Sequence, residues 1–169
     1  EPEWTSRFVK KFKRRRSVVT PAIADYLAGL YDGELSYLDT FVGKLLQAVP
    51  QTDGRSTVVI LTSDHGEAFF EHAFLGHSHV LYEEVMKVPM VVWWPGKIAA
   101  GQRLQVPTQT VDIYPTLLEL AGLSIPPGLE GRSLAAPLLG EGPEPESSPI
   151  FLQSPKFFGL IQDLPTGRF

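Results

Sequence analysis

The stretch TVVILTSDHGEAFFEHAFLGHSHVLYEE, residues 57–84, holds every histidine of the chain: His65, His72, His77 and His79. It opens with a continuous β-branched apolar run of strand length, the pattern of a strand buried on both faces of a parallel sheet. Ligands of open parallel sheets bind at the carboxyl ends of the strands, and Asp64 and His65 stand where this run stops. An acidic oxygen beside an imidazole suits a divalent cation such as zinc, manganese or calcium, with calcium favouring the oxygen more strongly. Gly66 permits a tight turn away from such a site. A purely local reading competes with this one: Asp64 caps a helix and Glu67 completes a capping box.

His77 and His79 form an H-x-H pair. In an extended segment both side chains point the same way and converge on one metal or one anion. His72, within FFEHAF, reads as a structural or surface residue. The apolar character of the loop around it predicts that the loop folds against something.

Working outward, residues 21–49 read as one long amphipathic helix, with Thr20 as N-cap and Pro21 at the first helical position. Ile23, Leu27, Leu30, Leu35, Leu38, Val42, Leu45 and Leu46 form a stripe expected to face a core. PQTDGRS is a turn-rich break. VPMVVWW, residues 88–94, is a second strand ending at Pro95-Gly96. VDIYPTLLELAG predicts a helix with Asp112 as N-cap, Pro115 in its first turn and Gly122 as its stop. Residues 124–148 are rich in Pro and Gly and read as a connection, and PIFLQS as the start of another strand. Helix, strand, loop, strand, helix is the alternation of an α/β fold with a parallel sheet.

The 169 residues are enough to bury one core, and 43% hydrophobic with 20% charged residues is ordinary globular composition. No stretch approaches the roughly 18 uninterrupted apolar residues of a membrane span. The absence of cysteine excludes thiolate zinc sites, disulfides and a cysteine nucleophile within these residues. Seven basic residues and no acidic ones occupy 7–16, whereas from residue 17 onward 17 acidic residues face 8 basic ones. One basic run in an acidic chain reads as a solvated face rather than a nucleic-acid site. The opening EPEWTSRFVKKF and the closing FLQSPKFFGLIQDLPTGRF lead to the expectation that this is a piece of a longer protein.

TVVILTSDHGE, then LGHSHVLYEEVMKVPMVVWWPGK, then VPTQTVDIYPTLLELAGLSIPPGLEGRSL, in this order and spacing, resemble the sulfatases of the alkaline-phosphatase superfamily. The resemblance runs from about Tyr31 to Leu139. It implies an alkaline-phosphatase-like α/β sheet flanked by helices, present here as an incomplete fragment. Residues 1–20 would be a basic leading segment and 21–123 the later part of the catalytic domain. Residues 124–169 would be a Pro/Gly-rich connection into a C-terminal subdomain.

What the family does is likewise implied by the resemblance. Its members cleave sulfate esters, or phosphate esters and phosphonates, at a divalent-metal site. The metal-binding pair falls on Asp64 and His65. The position, often Lys, that contacts the sulfuryl or phosphoryl oxygens falls on His77, with His79 the alternative. His79 is the candidate general acid for the leaving alcohol, since imidazole carries a proton near neutral pH. The family's nucleophile motif, Cys or Ser followed by x-Pro-x-Arg, has no counterpart; the only Ser-Pro pairs are Ser148-Pro149 and Ser154-Pro155, in another context. The expected function is part of a sulfuric ester hydrolase acting on a small-molecule or glycan ester, inactive without the missing N-terminal half. The alternatives are a phosphonate or phosphodiester hydrolase, a phosphotransferase, and a non-catalytic metal-binding remnant.

Overall fold

The Thr20 side chain accepts a hydrogen bond from the Ile23 amide at 3.4 Å, and Pro21 follows it at the start of helix α1, Pro21–Ala48. Both N-terminal signals in the sequence thus fall where they act. The computed structural model describes residues 19–50 and 57–161, so the basic run at 7–16 lies outside the described residues. Two compact units divide the chain, one ending at Thr57 and resuming over His65–Pro89, the other formed by Val58–Asp64 and the chain from Met90 onward.

In the first unit α1 meets a short antiparallel hairpin, β2 (Ala68–Phe69) and β3 (Leu75–Gly76), with Ala68 opposite Gly76 and Phe69 opposite Leu75. Leu27 and Leu75 form its buried centre, with Val19, Ile23, Phe69 and Phe70 packed around them. The Tyr31 ring meets Phe69 edge-on, centroids 5.3 Å apart. The hairpin closes with the Phe70 amide donating to the Phe74 carbonyl at 2.8 Å, and Phe70 and Ala73 both take left-handed backbone angles. Helix α2, Glu83–Met86, follows. The stripe on α1 is fully buried at one residue near its N-terminal end, and Val42 and Leu46 further along are half-buried. Leu27 is its one buried residue, while Leu30, Leu35, Leu38 and Leu45 are exposed among the described residues.

The second unit holds β1 (Val59–Thr62) and β4 (Met90–Trp93), which pair antiparallel with Leu61 opposite Val91. The parallel arrangement expected of these two strands is therefore corrected. Parallel neighbours need a crossover, usually a full helix, and the chain between Thr62 and Met90 holds only the two-residue strands and a four-residue helix. Leu61 and Val91 are both exposed, so this pair is not covered on both faces by described residues.

A 3₁₀ turn, Thr110–Asp112, leads into α3, Ile113–Leu120, followed by α4, Ala135–Leu139, and a hairpin of β5 (Ile150–Gln153) and β6 (Phe158–Ile161). The sequence places Pro115 and the Gly122 stop correctly, but Asp112 does not use its side chain to cap α3. Its buried carboxylate accepts from the backbone amides of Gln109 and Arg132, both at 2.9 Å. It thereby ties the turn before α3 to the segment after it. Thr116 adds a second tie, donating to the Asp112 carbonyl at 2.6 Å and accepting from the Leu134 amide at 3.0 Å. Gly131 is required here: a β-carbon on it would lie 2.1 Å from the Val111 carbonyl oxygen. The Arg132 guanidinium reaches the carbonyls of Pro107, at 2.8 Å, and of Glu146.

Asp112→Ala leaves two backbone donors without their acceptor in a buried place and is expected to cost about 2–4 kcal/mol of stability. Denaturant unfolding measures this; Asp112→Asn, which keeps one acceptor oxygen, is expected to lose less.

Candidate active site

Gly66 anchors the loop that follows β1. Its amide donates to the Val85 carbonyl of α2 at 2.7 Å, and a β-carbon on Gly66 would lie 2.2 Å from the Glu84 carbonyl oxygen. The glycine is needed for this approach of two backbones rather than for a left-handed turn. From this anchor the chain enters the β2–β3 hairpin, and its register carries the chemistry. Glu67 and His77 lie one residue beyond the last pair, Ala68 and Gly76, and their side chains meet at the open end of the hairpin.

There His77 Nδ1 donates to Glu67 Oε2 at 2.6 Å, short enough for a charge-assisted hydrogen bond. The His77 ring also stacks on His65, centroids 3.8 Å apart and planes 22° apart, while His65 Nδ1 lies 2.9 Å from the Gly66 carbonyl oxygen. At the closed end of the hairpin His72 Nδ1 pairs with Glu84 Oε1 at 2.7 Å, and its ring stacks on Tyr82 at 4.1 Å with planes 7° apart. α2 therefore holds the loop twice, by the Val85 carbonyl at Gly66 and the Glu84 carboxylate at His72.

Of the four residues expected from the sequence, His65, His77 and His79 lie in the first compact unit and Asp64 in the second. His65 and His77 are in contact. Asp64 sits exposed at a bend beyond the end of β1, within the second compact unit. His79 departs from the extended H-x-H geometry: its φ is +64°, and the chain turns at Ser78–His79. Alternation of an extended strand therefore does not aim it with His77. Nor does Glu67 complete a capping box, since residues 65–67 are not helical and its carboxylate is spent on His77.

Glu67 is the residue to which sequence reasoning gave no place in the site, naming it only in the competing capping-box reading. The signal was its placement equidistant with His77 from the centre of a hairpin, which shows only once the register is known. His65, Glu67 and His77 each offer one ligand atom, all within 4.8 Å of one another. Two imidazole nitrogens and a carboxylate oxygen are donor types that suit a divalent cation, so this is a possible metal-binding group. No helix among the described residues is long and apolar enough to cross a membrane.

Comparison with known proteins places the fold in the alkaline-phosphatase-like class. A phosphonate monoester hydrolase from Silicibacter pomeroyi matches 56% of this chain and 18% of its own, at 32% identity and a TM-score of 0.50. The protein BT4656, solved with its substrate D-glucosamine-2-N,6-O-disulfate, matches 62% of this chain and 23% of its own, at 27% identity and a TM-score of 0.53. The family model described as Sulfatase matches residues 2–123, and the chain belongs to the sulfatase family. Mouse (Mus musculus) arylsulfatase K is 41% identical over 99 residues, which are 57% of this chain and 17% of that protein. The chain spans less than a quarter of the length of the curated relatives it matches.

Gly66→Ala is expected to push α2 off the loop and destabilise the chain by about 1–3 kcal/mol, as overpacking does. Thermal or denaturant unfolding measures it, and the same variant should loosen the His72–Glu84 pair, read from the ring signals of His72 by NMR.

Proposed function

We propose that the protein carrying this chain is a metal-dependent hydrolase of sulfate esters. The observation that carries this reading is the stacking of His77 on His65, the residue that follows Asp64, with ring centroids 3.8 Å apart. Asp64 and His65 would hold a divalent ion, calcium by preference for the hard carboxylate oxygen, with manganese or zinc compatible with the imidazole. Such an ion, when bound, supplies positive charge that polarises the ester and its attacking group.

The remaining steps belong to side chains. His77, directed by its contacts, donates a hydrogen bond to an ester oxygen as charge develops there. His79, exposed in its turn, gives a proton to the departing alcohol. The attacking group is not among these residues, so the chain alone is expected to turn over nothing. Likeness to a structure complexed with a disulfated glucosamine supports a glycan or small-molecule sulfate ester as substrate. Likeness to a phosphonate monoester hydrolase supports a second reading, hydrolysis of phosphonate or phosphodiester substrates at the same residues.

The test is hydrolysis by the intact protein of an aryl sulfate, an aryl phosphonate monoester and a phosphodiester, side by side. Fastest turnover of the sulfate supports the first reading; a lead for either phosphorus ester replaces it with the second. Asp64→Ala is expected to lose both metal, by elemental analysis, and activity, and retention of both would remove Asp64 from the site. His77→Ala should lower kcat by about 10²–10⁴-fold.

His79→Gly separates chemistry from folding. A non-glycine residue in the left-handed region carries a strain of about 1–2 kcal/mol, so this variant should be at least as stable as the parent. Its turnover should fall further for alkyl esters, whose leaving groups need a proton, than for activated aryl esters. Equal losses on both would take the acid role away from His79.

A further inference from the structure

We infer that His65, Glu67 and His77 form a zinc site distinct from the Asp64–His65 pair, and that zinc held there shuts off the ester site. The site itself is argued from geometry and donor chemistry. Its effect on turnover rests on the proposed roles of His65 and His77. Each of the three side chains offers one ligand atom, and these atoms all lie within 4.8 Å of one another. All three belong to one compact unit, whereas Asp64 belongs to the other. Two imidazoles and one carboxylate are the donor set of zinc sites that keep a fourth position open. Calcium takes about 6–8 oxygen ligands and would find a single carboxylate here. A borderline-soft ion gains from both ring nitrogens, so this set selects zinc where the Asp64–His65 pair favours a harder ion.

Distances decide whether the set can close. Ligand atoms about 2.1 Å from a tetrahedral zinc stand roughly 3.4 Å from one another. His77 Nδ1 and Glu67 Oε2, at 2.6 Å, need to part by under an ångström, and the widest pair needs to close by about 1.4 Å. Partly exposed side chains make such moves by bond rotation, and the Glu67 side chain is 24% exposed and that of His77 43%. The stack of His77 on His65, centroids 3.8 Å apart, already gathers both imidazoles at the place. The ion replaces the hydrogen bond between His77 and Glu67, and its proton passes to solvent. His72, paired with Glu84 at 2.7 Å, stands outside the set, as does His79. Zinc so held occupies the proposed ester contact and takes His65 from the resident ion, so turnover stops while the protein stays folded.

The experiment titrates zinc chloride into the intact protein by calorimetry, in excess calcium, with Asp64→Ala and Glu67→Ala beside the parent. Asp64→Ala should bind zinc as the parent does, because Asp64 is no part of the set. Glu67→Ala should bind it more weakly by over about 100-fold, beyond what the loss of an outer partner brings. The reverse pattern overturns the inference, since zinc would then be entering the resident ion's pair; so does a parent that takes up no zinc. Where Glu67→Ala fails to fold, the parent's histidine ring signals decide by NMR. Zinc should move those of His65 and His77 most, and a largest shift at His79 or His72 overturns the set. Saturating zinc should lower the parent's turnover by about 10²-fold or more, as loss of His77 does, and a zinc chelator should restore it. Zinc bound with turnover undiminished overturns the shut-off. A parent that hydrolyses no ester fails the functional reading, and the calorimetry still decides the site.

Discussion

The contact between Gly66 and α2 is the constraint on which the histidine loop depends. A backbone hydrogen bond and a carbonyl oxygen within reach of a missing β-carbon leave room for hydrogen and nothing larger. Because the loop is pinned there, Glu67 enters the hairpin in one register, and that register alone puts it opposite His77. Glu84, whose carbonyl crowds Gly66, also holds His72 at the other end of the hairpin. One short helix therefore positions both ends of a loop that has little regular structure of its own.

The two carboxylate–imidazole pairs show why this loop carries histidines in company with acids. By family resemblance the position of His77 is often a lysine, whose ammonium has three equivalent donors on a rotating head. Replacing it by imidazole introduces a choice between two nitrogens and two faces. The Glu67 carboxylate meets one nitrogen and the His65 ring covers one face, and both come from the same few residues.

Much of this was legible before the coordinates. The N-cap at Thr20, the Gly122 stop and the strands at 59–62 and 90–93 follow from local chemistry, which acts within a few residues. What the sequence hid was long-range or register-dependent. The antiparallel sense of β1 and β4 depends on how the intervening chain returns, and an apolar run reads the same in either direction. The true partners of Asp112 include the amide of Arg132, twenty positions away, which no capping rule anticipates. Glu67 was left without a site role because a capping box and a hairpin contact can use the same residues, and only the fold selects between them. His79 escaped because nothing in its composition signals a left-handed turn at a histidine.

The two crowded glycines, Gly66 and Gly131, bear on how inherited changes in such a protein would be interpreted. Every amino acid that a single-base change can put in place of glycine brings a β-carbon, and at both positions that carbon meets a carbonyl oxygen. Severity there should hardly depend on the charge or polarity of the newcomer. A substitution at either position would be a defect of protein quantity, open to remedies that raise the folded fraction, rather than a defect confined to one side chain's chemistry.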